Sequence, residues 1–415
     1  MKILFLTDTW FPRMTANAIC VKNISEELIV QKNEVYVCAY GDRRCPKEED
    51  GIKFSYIRPS FSRLFLNMGK YKNTTSAKVY KILGKILNSI RRIMLLPFYP
   101  IVTFVVPYRW LKAYKNVKSA VDIQKVVSVV APDESLFSGY LIKKNFPNTK
   151  WIVYYIDAGT NVLKGTTFEH FKRTLQKKAI RWENKILEKA DKIIVMEGHS
   201  EYYRRTLSST NIGKLVVADV PLLKISQKNG NAEALNFHNT ERWVYTGNMN
   251  GKYYHPKKLC DVFIEYCNIR QAELHLYGPS DCLDFLYSIQ KNHRNIIWHG
   301  MKSHEEVIEA QSNADVLVYF KCENLDSISG KLFEYIAHGK PIIFIGPSDD
   351  INSFQLSKYS KGLALSINKD AKENAVEIKN FLTRIAKEPK IQREVIESVY
   401  SLCLPKTTAN IITQT

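Results

Sequence analysis

Short uninterrupted apolar runs alternate with longer stretches in which apolar residues recur every third or fourth position. Residues 2–6 are the first such run, a helical pattern over 18–31 follows with Ile19, Ile24, Leu28 and Ile29 broadly on one face, and 34–40 is apolar again. Continuous apolar runs predict strands buried on both faces, and the 3.6-residue period predicts a helix covering them, so the chain opens with a β-α-β unit of a doubly wound sheet. Further strands are predicted at 52–57, 125–130, 151–156 and 192–196, and a helix at 171–189 whose Arg173, Lys177, Lys178, Arg181 and Lys185 form a solvated basic face. Residues 221–242 are polar, contain Asn-Gly and lack a clear period, which reads as a linker. A second β-α series has strands at 243–246, 273–277, 296–298, 315–320, 341–345 and 363–367, and one amphipathic helix is predicted over 369–402. The pattern predicts an α/β protein with two Rossmann-like domains, 1–220 and 243–398, and a tail, 399–415.

A length of 415 residues agrees with two cores rather than one. The net charge of +19 calls for an anionic partner: lipid, nucleic acid or a phosphorylated substrate. Most of that charge is local, because residues 51–121 hold fourteen Lys or Arg and no acid, leaving +5 for the rest of the chain. Within this segment residues 93–108 are almost wholly apolar but contain Pro97, Pro100 and Pro107, and a spanning helix needs about 20 apolar residues without such breaks. A segment with Tyr108 and Trp110 at its edge suits an anionic leaflet, each basic residue near the surface contributing roughly 1 kcal/mol; ordinary packing of 93–108 is the alternative. No nucleic-acid-binding motif accompanies the charge. The eight cysteines show neither C-x-x-C pairs nor zinc spacing and suit a reducing compartment, and the apolar run at the N-terminus is too short for a signal peptide, so a cytoplasmic location, peripheral to the inner face of the plasma membrane, is expected.

The chemistry concentrates in residues 326–345, DSISGKLFEYIAHGKPIIFI. Ser327, Ser329, Gly330 and Lys331 open a helix, Leu332, Phe333, Tyr335 and Ile336 give it an apolar face around Glu334, and His338-Gly339 ends it before the strand at 341–345. Backbone amides at a helix N-terminus, with a lysine among them, suit a phosphate or diphosphate. Glu334, one turn in, suits a ribose diol. Gly247, Asn248 and Lys252 stand in the loop after the strand at 243–246, at the carboxyl edge of a sheet; taken alone, a glycine followed five positions later by a lysine is also an ordinary turn.

The spacing of Asp326 and Glu334, with seven residues between them, followed by the HGKP turn, resembles the donor-site signature of glycosyltransferase family 4, retaining enzymes of GT-B fold. The resemblance implies two Rossmann-like domains facing each other across a cleft, with the tail 399–415 returning to the first domain. It implies that Lys252 and Lys331 hold the donor diphosphate, that Met301 borders the base, that Glu334 binds the ribose and Asp326 the sugar, and that Lys252, Asp326 and Glu334 form the catalytic set. The chain departs from the family at three points: the first acid is Asp326 rather than Glu, Asn248 stands where the family has Arg, and Thr15-Ala16-Asn17-Ala18 replaces a Gly-Gly pair. Asn17 reads as a helix N-cap on the acceptor side, and Asp157, at the end of the strand at 151–156, either contacts sugar hydroxyls or caps its loop. No Asp-x-Asp motif is present, so neither metal nor other cofactor is expected beyond the nucleotide-sugar substrate. The activity implied is sugar transfer to a saccharide acceptor, lipid-linked in bacterial surface-polysaccharide assembly. A nucleotide-sugar 2-epimerase of the same fold and a non-catalytic, membrane-associated nucleotide-sugar binding protein are the alternatives.

Overall fold

The computed structural model describes all residues except 12–13, 43, 61–74, 102, 131–132, 157–171, 224–239, 324–328, 387 and 389–390. The chain divides into two compact units, Met1–Pro221 with Leu402–Thr415, and Leu222–Ser401.

In the first unit the strands are β1 (Lys2–Thr9), β2 (Glu34–Tyr40), β3 (Glu48–Glu49), β4 (Ile52–Ile57), β5 (Lys125–Val130), β6 (Lys150–Tyr155), β7 (Lys192–Val195) and β8 (Leu215–Val217). They form one sheet in the order β3-β4-β2-β1-β5-β6-β7-β8, parallel apart from the short edge strand β3. Ile3 to Leu6 and all of β5 are buried, as strands covered on both faces must be. The helices that bear on function are α1 (Ala16–Val30), α2 (Thr75–Met94), α3 (Val105–Ala120), α4 (Glu134–Asn145) and α5 (Lys172–Leu187). Thr15, not Asn17, caps α1, its hydroxyl accepting from the Ala18 amide at 3.4 Å. Asn17 already lies inside the helix, because the chain turns helical at Ala16, two residues before the expected start.

The chain returns to this unit as the helix Pro405–Gln414, opened by a proline at its first position, where no amide partner is lost. Gln31 donates to Asn410 at 3.0 Å, and the buried ammonium of Lys125 donates to the carbonyls of Ile412 (2.9 Å) and Thr413 (2.8 Å), a cation on the negative end of a helix. The single helix expected over 369–402 is instead two, Ala371–Ile385 and Arg393–Val399. Pro389 falls between them, where it cannot supply a helical amide.

The second unit holds β9 (Glu241–Thr246), β10 (Ala272–Tyr277), β11 (Ile296–Gly300), β12 (Val316–Phe320), β13 (Ile342–Gly346) and β14 (Gly362–Ser366), parallel and ordered β11-β10-β9-β12-β13-β14. The order reverses between β9 and β12. In a doubly wound sheet that switch point, at the carboxyl ends of the strands, is where a crevice for ligands opens. α6 (Lys257–Cys267), α7 (His304–Ser312), α8 (Gly330–Ala337) and α9 (Ile351–Ser357) belong to this unit.

One buried acid gives the first unit a pH dependence. Glu183 on α5 is 8% exposed and accepts from the Tyr155 hydroxyl at 2.5 Å; burial pushes its carboxyl up to about 7, against the lowering effect of that bond. Between the ordinary value of 4.5 and about 7 the native state holds a proton that the unfolded chain has lost, so stability falls as pH rises through this window. From pH 5 to 8 the wild-type chain should lose on the order of 3 kcal/mol more than Glu183→Gln in denaturant titrations; parallel curves for the two would contradict this.

Candidate nucleotide-sugar site in the second unit

Three strand-end loops meet at the carboxyl edge of the second sheet. The Gly247 amide donates to the Tyr277 carbonyl at 2.8 Å, the Gly278 amide to the Gly300 carbonyl at 2.7 Å, and the Met249 amide to the Pro279 carbonyl at 2.9 Å. Gly278 has φ +131° and its backbone presses on Gly247; a Cβ at 278 would stand 1.9 Å from the Gly247 carbonyl oxygen. The loop after β9 is thereby held in one conformation from below. The Tyr245 hydroxyl adds a bond to the Asn248 carbonyl at 3.1 Å, leaving the Asn248 side chain exposed.

Across the switch point lies α8. Its middle is fastened by Tyr335, fully buried, whose hydroxyl accepts from the Thr246 amide at 2.8 Å and lies 3.1 Å from the Thr246 hydroxyl. Gln311 donates to that Thr246 hydroxyl at 2.8 Å, and its amide oxygen pairs with His338 Nε2 at 3.0 Å. Burial, with Lys340 adding to it, pushes His338 down to about 4, so the ring is neutral near pH 7 and donates to Gln311 from Nε2. The helix stops as the sequence predicts, with His338 at the C-cap and Gly339 at φ +67°.

The start of α8 is fixed by a second relay. Lys321 and Asp350 pair at 2.8 Å with side chains fully buried; Asp350 also accepts from the side-chain nitrogen of Asn352 at 2.6 Å, and Asn352 Oδ1 accepts from the Ser329 amide at 2.8 Å. The Ser329 amide is therefore committed to Asn352. The next two amides, of Gly330 and Lys331, have no hydrogen-bond partner among the described residues and carry the positive end of the helix dipole.

These anchors set Lys331 beside Gly247. A Cβ built on Gly247 would lie 2.4 Å from Lys331 Cε, so the absence of a side chain at 247 is what admits the lysine. Glu334 is half-buried and three positions on, hence on the same face of α8. Neither Lys331 nor Glu334 has a hydrogen-bond or ion-pair partner among the described residues. Lys252 stands in the same loop as Gly247 and is exposed, with its ammonium 4.6 Å from the centroid of the Tyr253 ring. The bond to Tyr253 raises its pKa and keeps it charged. Met301 follows Gly300 (φ +70°) and is 65% exposed at the end of β11. Asp326 and Asp157 lie outside the described residues.

Thr246, Gln311, Tyr335 and the Lys321–Asp350 pair were not apparent as site-shaping residues from the sequence. Tyr335 counts there as one more apolar position of α8, and Asp350 as a loop acid.

No protein-family model matches the chain, and no curated protein matches it by sequence. Among solved structures it is similar to a sucrose-phosphate synthase from Thermosynechococcus elongatus (TM-score 0.60, 16% identity, 100% of this chain and 97% of that chain covered). It is also similar to WaaG, a glycosyltransferase involved in lipopolysaccharide biosynthesis (TM-score 0.55, 11% identity, 100% of each chain), and to Anabaena HepE in complex with UDP-glucose (0.56, 12%, 100% and 98%). The fold is GT-B. In GT-B terms the two units are Rossmann-like domains, and the Gly247–Lys331 contact lies at the switch point of the second.

Two of the positive-φ glycines, Gly278 and Gly300, separate packing from backbone strain. Gly278→Ala meets the Gly247 backbone and should cost at least roughly 2–4 kcal/mol, whereas Gly300→Ala, with nothing within 4 Å of the new Cβ, should cost only about 1–2 kcal/mol of strain. Denaturant unfolding of both variants checks this, and equal small losses would contradict the described loop packing.

Proposed function

We propose that the chain is a retaining glycosyltransferase that moves a sugar from a nucleotide-diphosphate sugar to a lipid-linked saccharide acceptor in polysaccharide assembly. The observation that carries the reading is the placement of Lys331 against Gly247 across the switch point of the second sheet, at a helix N-terminus two of whose amides have no partner among the described residues. Such a cradle suits a diphosphate: a full charge, oriented N–H groups and a glycine that lets the ligand approach backbone. The similarity to WaaG, a glycosyltransferase, and to HepE in complex with UDP-glucose supports the same reading.

Breaking the bond between the anomeric carbon and the diphosphate places negative charge on the leaving oxygen while the ring carbon becomes cation-like. Lys331 and the amides of Gly330 and Lys331 stabilise that charge, and Lys252 supplies a second cation from the loop after β9, where Asn248 brings none. Glu334 accepts from the ribose hydroxyls, Asp326 orients the transferred sugar, Met301 borders the base, and Asp157 and Asn17 act on the acceptor side. A departing phosphate oxygen takes the proton of the attacking hydroxyl, so retention needs no protein nucleophile, and the chain's fixed positive groups do the work without a metal.

Purified protein incubated with a panel of nucleotide sugars and lipid-linked saccharide acceptors should release nucleoside diphosphate with one donor. Lys331→Ala and Glu334→Ala should each lower kcat/KM on the order of a hundredfold with unfolding midpoints unchanged, because neither side chain has a hydrogen-bond or ion-pair partner among the described residues. Donor conversion without acceptor would replace the proposal with an epimerase, and absence of turnover with every donor would contradict it.

A further inference from the structure

α2 is amphipathic in the reverse sense of an ordinary surface helix. Val79, Ile82, Leu83, Ile86, Leu87, Ile90, Ile93 and Met94 are all exposed, at 39% to 71%. At ~100° per residue these eight fall within an arc of about 140°. Lys85 and Arg91 fall on the opposite arc, and the helix sequence holds no acid. It faces the body of its unit with the other side: Gly84 is buried, Asn88 and Arg91 are half-buried, and Arg91 donates to Ser60 (3.0 Å) and Asn88 (2.7 Å). An aqueous fold gains by turning such a stripe inward, and this one is turned outward.

The stripe does not end with the helix. Phe98, Phe104, Val105 and Tyr108 continue the exposed apolar surface through the turn and into α3, and Lys178 on α5 donates to the Pro97 carbonyl, holding that turn to the unit. Lys85, Lys112 and Lys115 are exposed on the same two helices.

We propose that α2 and the turn after it form a monotopic insertion surface for an anionic phospholipid leaflet, the stripe of α2 lying parallel to the membrane plane among the upper acyl chains with the lysines at headgroup level. Charge selects this occupant over a second copy of the chain. Residues 51–121 carry fourteen basic and no acidic side chains, so two copies joined through this face would oppose like charges, whereas acidic headgroups neutralise them. The length fits as well, since 20 helical residues extend ~30 Å along the surface, and no helix among the described residues is long and apolar enough to cross a membrane. This inference does not rest on the donor reading.

Vesicle flotation of the full chain, without donor or acceptor, tests it. The protein should float with vesicles of phosphatidylcholine and phosphatidylglycerol and stay behind with phosphatidylcholine alone. The triple variant Ile82→Ser, Ile86→Ser, Ile90→Ser alters exposed positions and should keep its far-UV circular dichroism while binding the mixed vesicles on the order of a hundredfold more weakly. Lys85→Glu, Lys112→Glu, Lys115→Glu should lose the preference for the anionic lipid with the stripe intact. Wild-type protein that floats with neither vesicle, a serine variant that floats as well as wild type, or a stable dimer that the serine variant abolishes without any vesicle binding would each overturn the proposal. Loss of sugar transfer with flotation preserved would count against the catalytic reading alone.

Discussion

Thr246, the last residue of β9, and Tyr335, in the middle of α8, meet in a buried pair of polar contacts at 2.8 and 3.1 Å, and the second unit's candidate chemistry depends on that meeting. A buried amide at a strand end costs roughly 1–3 kcal/mol if left unpaired, and the Tyr335 hydroxyl satisfies it from across the switch point. Because Gln311 and neutral His338 extend the pair into a relay, the distance between strand end and helix is fixed rather than left to apolar contact alone. The register of α8 follows, and with it the position of Lys331 beside Gly247.

A second constraint acts at the helix start. The Lys321–Asp350 pair is wholly buried, an arrangement whose desolvation cost is offset only when the remaining lone pairs and protons are used. Here Asp350 passes its second oxygen to Asn352 and Asn352 passes its carbonyl to the Ser329 amide, so the pair ends by locating the residue that caps the start of α8. One amide is consumed, and the next two have no partner among the described residues. Structure and chemistry thus divide the same helix N-terminus between them.

Strands were the most legible part of the sequence. Parallel strands buried on both faces are continuous apolar runs, and those at 34–40, 52–57 and 125–130 fall where β2, β4 and β5 do. The end of α8 was legible because only glycine adopts the left-handed angle there at little cost. Long-range pairing was not: nothing local marks Tyr335 as the partner of Thr246, 89 positions away, or Gly278 as the floor beneath Gly247. Nor does anything local show that the Lys252 ammonium lies over the ring of its neighbour Tyr253. α2 escaped because its stripe faces outward beside proline-broken apolar sequence, so the charge of the segment could be read but not the helix that carries the apolar face. The interruption between Ile385 and Arg393 was hidden by the amphipathic period running through the segment, although the sequence there contains Pro389.

The central claim is that the Tyr335–Thr246 tie presents Lys331 and the first amides of α8 to a diphosphate. A crystal structure of the chain with a bound nucleoside diphosphate tests this most directly. The account predicts diphosphate oxygens within hydrogen-bond distance of Lys331 Nζ and of the Gly330 or Lys331 amides, beside Gly247. A nucleotide bound with its phosphates away from the β9–β12 switch point would contradict it.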